Sequence, residues 1–224
     1  MQPVSRSKAI IVGVIAAVAL AIAGSVFFGA KKTRDLEASA RSGVAVATSG
    51  LQEALALAPD APGAAARIEE HGKAVTQTLE ALRREDHSRN RPLAEAAELY
   101  LIDVQAMLRN QANAARARGA ALASRRALAG HMSHAAGRGT GWIQNALALK
   151  QRAERDNFEY RTAIGAYAEL LRVHRDTQDR VRAVFPAARL IDEALRAKAY
   201  AAAKQAEEQA AAELERIRKM AIPR

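Results

Sequence analysis

Cysteine is absent, so no disulfide staples this fold, and the absence suits an oxidising or a reducing compartment alike. Aromatic residues make up only 4% of the chain, which excludes a deep globular core and favours long, thin helical packing. Outside the first thirty residues no run alternates with period two in Val, Ile and Thr, so an all-β or mixed class is excluded and an all-α class is expected. The six prolines and thirteen glycines cluster at a few places and leave long stretches unbroken. The most informative shortage is of acids: none lies between Asp103 and Glu154, although acids and bases alternate closely elsewhere in the polar part of the chain.

What fills the chain instead is alanine, the best helix former and a poor source of buried surface. A length of 224 residues fits one or two domains, and half of the chain is nominally hydrophobic. Ala9 to Ala30, AIIVGVIAAVALAIAGSVFFGA, carries no charge and is bounded by Arg6 and Lys8 before it and Lys31, Lys32 and Arg34 after it. As a helix it would be about 33 Å long, against a hydrocarbon core of about 30 Å, so it is expected to be a transmembrane anchor behind a tail of residues 1–8. The competing reading is a leader cleaved after Ala21-Ile22-Ala23, but that cut would leave Val26-Phe27-Phe28 at a new terminus. The flanking positive charges nearly cancel as a guide to orientation. A short tail followed by one anchor is the common bacterial signal-anchor layout, and it predicts an inner-membrane, single-pass protein with a periplasmic body. Within the run, Gly13, Ala17 and Ala21 repeat at four-residue steps, the small-residue arrangement through which two spans self-associate.

Four breaks punctuate the rest: Pro59 to Gly63, Ser88 to Pro92, Gly137 to Gly141, and Pro186. A first helix carries the stripe Leu36, Ala40, Val44, Ala47, Leu51 and Leu55, and a shorter second one carries Ile68, Val75, Leu79 and Leu82. Two seams then step by fours and threes on either side of the glycine turn. The first runs from Leu93 through Tyr100, Val104, Met107, Gln111, Arg118 and Arg125 to Met132, and the second from Ile143 through Lys150, Tyr160, Tyr167, His174 and Gln178 to Phe185. Seams of matching length predict an antiparallel hairpin over 92–185, with Val104 near His174 and Arg118 near Tyr160. The expected architecture of 31–186 is a four-helix bundle at the membrane side with the far half of the hairpin projecting free. Residues 187–224 read as a separate amphipathic helix with a thin alanine seam, packed on the bundle or on a second copy. In composition that segment resembles the Ala-, Lys- and Glu-rich helices of envelope-spanning proteins, a likeness that carries no function.

The acid-free stretch falls at the hairpin's far end. Arg109, Arg116, Arg118, Arg125, Arg126, Arg138, Lys150 and Arg152 would there meet an anionic surface or an acidic protein partner. Arginine's planar fork suits bidentate contact with phosphate or carboxylate. A solvated face written by an arginine-rich composition is the bland counterpart. Nucleic acid would be a partner only if the body faced the cytoplasm, and Trp142 is the sole stacking candidate beside the turn, where it is rather expected to pack on Met132. His131 and His134 share a helix face, but no cysteine or nearby carboxylate completes a shell, so no metal and no other cofactor is expected. His174 reads as a hydrogen-bonded core residue. Gly137 to Gly141 follows a helix and not a strand, which makes it a turn, with Thr140 as cap, and not a phosphate loop. Adjacent pairs such as Glu69-Glu70 and Glu207-Glu208 point in different directions on a helix, and no catalytic constellation stands out, so an enzyme is not expected. The leading expectation is a membrane-anchored helical scaffold or interaction subunit of a bacterial envelope assembly. The alternatives are a nucleic-acid-binding membrane protein and a small-ligand sensor; the bundle is similar in outline to chemoreceptor ligand-binding domains, without their returning span or signalling module.

Overall fold

A computed structural model describes residues 6–57, 61, 63–134 and 139–222, with side chains described from residue 30 onward. Five α-helices follow in order, α1 (Arg6–Ala56), α2 (Ala64–Arg83), α3 (Arg91–Ser133), α4 (Thr140–Val184) and α5 (Glu193–Lys219), and no strand occurs among the described residues. The all-α class is thus as expected. Among the described residues no helix is long and apolar enough to cross a membrane. The apolar run 9–30, with Gly13, Ala17 and Ala21, lies outside the residues whose side chains are described, apart from Ala30.

The helix boundaries have local causes. Gly63 starts α2 with φ of 73°, a left-handed conformation that glycine adopts without a Cβ penalty. Asn90 caps α3 by accepting from the Leu93 amide, and Pro92 sits in the first turn, where no amide bond is lost. Asp192 caps α5 through the Ala194 amide. The final helix therefore begins at Glu193, because Pro186 and the cap keep 186–192 out of helical geometry. Gly139 and not Thr140 occupies the N-cap of α4, and Thr140 is its first helical residue.

The chain runs up and down in register. In the lower half, Leu36, Ala40, Val44, Ala47 and Leu51 of α1 and Ile68, Val75, Leu79 and Leu82 of α2 are all buried against α3. The α3–α4 hairpin is antiparallel and has the expected register, since Asp103 meets His174 and Leu128 meets Ala153. Beyond the ends of α1 and α2, α3 and α4 continue, but they do not stand alone. Helix α5 starts at the base with Ile191 in the main core and packs along α4 up to the turn, where Ile217 closes a second cluster with Leu128 and Ala153. The free-standing tip expected from the sequence is replaced by a three-helix distal half, because the alanine seam of α5 is thin enough to lie close to its neighbour. At 1.5 Å per residue, the 43 residues of α3 make a pillar about 65 Å long.

Candidate functional site: the cationic far end of the hairpin

The distal half inherits its charge from the acid-free run, and the fold then distributes that charge unevenly. Arg116 on α3 pairs with Glu69 of α2 and also donates to Asn113 Oδ1 at 2.6 Å. Arg125 stands 3.6 Å from Glu213 of α5, which Arg216 also faces at 3.6 Å. Lys150 of α4 donates to the Arg218 and Met220 carbonyls, both at 2.9 Å, and so caps the C-terminal end of α5. Arg152 lies 3.7 Å from Asp156, whose carboxylate is buried and is shared with Arg155 at 3.5 Å. Arg109, Arg118 and Arg126 make no ion pair among the described residues. Arg138 lies outside the described residues.

Of the eight predicted cations, the seven that are described lie along the hairpin from Arg109, near the middle of α3, toward the turn, and they do not share one role. Three of them, Arg116, Arg125 and Lys150, tie α3 and α4 to α2 and α5. The acids that hold Arg116 and Arg125 come from elements distant in sequence, which is why a local reading of the run missed them. What remains outward on α3 is Arg109 and Arg126, both exposed, with Arg118 partly covered. Arg109 shares a surface groove with Lys73 and Gly72 of α2, and Arg126 lies beside Gly63 and Ala64 at the start of α2. Both therefore face the α2 side of the hairpin. The positive field of Arg118 and Arg125 is also felt by Tyr160: burial holds its phenol above the ordinary value, and the two guanidiniums oppose that rise.

Near the turn, Trp142 stacks on His131 with ring centroids 4.9 Å apart and 21° between planes, while Met132 packs on the Leu128 cluster. His131 Nε2 lies 3.0 Å from the Trp142 carbonyl oxygen, and His134 Nδ1 lies 2.7 Å from that of Gly130. Both imidazoles are thus directed at main chain, and no group of three metal-ligating side chains occurs among the described residues.

At the base, His174 is fully buried, with Nδ1 2.5 Å from the Asp103 carboxylate and its ring 5.4 Å from that of Tyr100. Tyr100 donates to Thr48, which in turn donates to the Val44 carbonyl. Burial pushes the Tyr100 phenol up to about 12, with the Thr48 bond pulling the other way. These groups tie α1, α3 and α4 together.

No protein-family model matches the chain, and searches of curated proteins and of solved structures give no match either.

Proposed function

We propose that the protein is a non-enzymatic scaffold or interaction subunit of a bacterial envelope assembly, anchored by residues 9–30 in the inner membrane with its helical body in the periplasm. The observation that carries this reading is polarity along one pillar: an uncharged run long enough to span a bilayer toward one end, and, from mid-height to the other, arginines that make no ion pair among the described residues. Arg109 and Arg126 are the contact residues for an acidic protein or an anionic surface, with Arg118 beside them. Arg116, Arg125, Lys150 and Arg152 add to the field but are held by the fold.

Flotation of the full chain with phosphatidylglycerol vesicles, and capture on immobilised polyglutamate, test this directly. The double reversal Arg109→Glu, Arg126→Glu should weaken binding to whichever probe is recognised by roughly tenfold or more at physiological salt, because each cation near an anionic surface contributes up to about 1 kcal/mol before screening. Helicity should stay unchanged, since neither residue makes an ion pair among the described residues. Undiminished binding by the double variant, or binding to neither probe by the native chain, would refute the proposed role of this end.

A further inference from the structure

Where the lower and distal halves meet, the five helices leave a cavity of about 150 Å³, lined largely by apolar side chains. It exists because its neighbours are short. Ala114 of α3 and Ala199, Ala203 and Ala206 of α5 stand around it, and no larger side chain takes up the space between them and Ile164 of α4. Leu55 of α1 and Ile68 of α2 also line it.

Four side chains with polar groups stand in this lining, Gln111, Arg118, Tyr160 and Tyr167, and two of them carry a buried polar atom without a partner among the described residues. Tyr167 is 5% exposed, yet its hydroxyl has no hydrogen-bond partner among the described residues. Burial alone pushes that phenol far above its ordinary range, so it remains a neutral donor. Gln111 gives its amide hydrogen to the Ala54 carbonyl at 2.7 Å, which leaves its buried carbonyl oxygen without a donor. Both residues line the cavity. The hairpin register that sets Asp103 against His174 also sets Gln111 level with Tyr167. A buried polar atom without a partner is destabilising, so a group that satisfied either one would gain binding free energy there.

We propose that this cavity is a binding site for a small neutral amphiphile: a body of about benzene size, which a void of this volume holds, bearing one hydroxyl. The hydroxyl oxygen accepts from Tyr167 and its proton goes to the Gln111 carbonyl, while the ring fills the space left by the α5 alanines. Since α1, α2, α3, α4 and α5 all line the site, an occupant cross-links the base to the distal half. This inference does not rest on the scaffold reading, because neither Arg109 nor Arg126 touches the cavity.

Titration of the purified full chain with 4-fluorophenol and with fluorobenzene, followed by fluorine NMR, tests it. The phenol should bind saturably and about tenfold more tightly than the hydroxyl-free ring. Tyr167→Phe should erase most of that preference while leaving the melting temperature equal or higher, since it removes only an unpartnered hydroxyl. Ala203→Leu, or Ala206→Val should the first variant not fold, should fill the cavity and abolish binding of both probes. The proposal is overturned by equal affinity for the two probes, by a preference that survives Tyr167→Phe, by saturable binding in both filled variants, or by no saturable binding to the native chain. Fluorobenzoate binding more tightly than the phenol would also overturn it, since Arg118 at the edge and not the Tyr167–Gln111 pair would then be selecting the ligand.

Discussion

At the scale of single residues, the core between α1, α3 and α4 is held by polar groups whose accounts do not all balance. Among the described residues, His174 has one nitrogen bonded to Asp103 and the other buried without a partner, and one turn later Gln178, 1% exposed, leaves both its amide nitrogen and its oxygen unsatisfied. Desolvating an amide without compensation is costly, whereas a leucine of similar bulk adds apolar burial. Gln178→Leu is therefore expected to stabilise the protein by about 1–3 kcal/mol in urea unfolding; a loss of stability would mean that the amide is satisfied in solution. Tyr100 gives a prediction of opposite sign. Its phenol ionises near 10.0 when exposed but only at about 12 in the folded protein. Below pH 10 both states keep the proton and the contribution is complete. As pH rises from 10 to 12 the unfolded chain loses its proton first, so stability should fall by on the order of 2–3 kcal/mol across that window. Tyr167, raised in the same direction, adds to the fall. In alkaline titrations followed by circular dichroism, Tyr100→Phe should flatten the slope between pH 10 and 12; an unchanged slope would contradict the buried phenol as its source.

At the scale of elements, what the sequence made legible and what it hid divide along α3. Its four-and-three seam toward α4 reads directly, and Leu93, Tyr100, Val104, Met107 and Ala114 are indeed buried. A second buried face, with Ala94, Leu101, Leu108 and Ala112, was not legible. It exists because α1 and α2 pack there, and a helix covered on two sides loses the single-stripe contrast on which periodicity depends. Gly43 marks how close that packing is: a Cβ there would lie 3.0 Å from the Thr78 methyl and 3.3 Å from Leu101. The candidate site was legible as a charge anomaly but not as a set of bonds, since Glu69 and Glu213 reach Arg116 and Arg125 only through tertiary packing. Lys150 is the clearest case. It reads as one more tip cation, yet its ammonium holds the last carbonyls of α5. Lys150→Met should fray that end: amide exchange at 217–220 should quicken by roughly tenfold, in line with about 1.5 kcal/mol for hydrogen bonds from a charged donor, while the base is unaffected. Unchanged exchange at those amides would show that the cap contributes nothing.

At the scale of the whole molecule, α5 was expected as a helix on the bundle or on a second copy, but its reach to the turn was not, and that reach converts a projecting hairpin into a covered three-helix column. Its interface is built from Ala203, Ala210, Leu214 and Ile217, with Arg196 buried at the base and donating to the Leu171 carbonyl at 2.6 Å. Each contact is small, but among the described residues the distal half has little other cover, since α1 ends at Ala56 and only the start of α2 reaches the level of Arg126. The base, by contrast, keeps the large buried side chains of α1, α2 and α3 whether or not the far end of α5 is present. The two halves should accordingly differ in how far they depend on α5. A chain stopped after Ala202 retains Ile191 and Arg196 but loses Leu214, Ile217 and the acceptors of Lys150. Hydrogen exchange followed by mass spectrometry should then show amides in 121–133 and 146–157 exchanging roughly tenfold faster or more, with protection in 93–108 and 167–181 retained. Equal loss in both regions would make the molecule one cooperative unit, and no loss in either would leave the hairpin self-sufficient. In either case α5 would not be the cover that holds the cationic end in place.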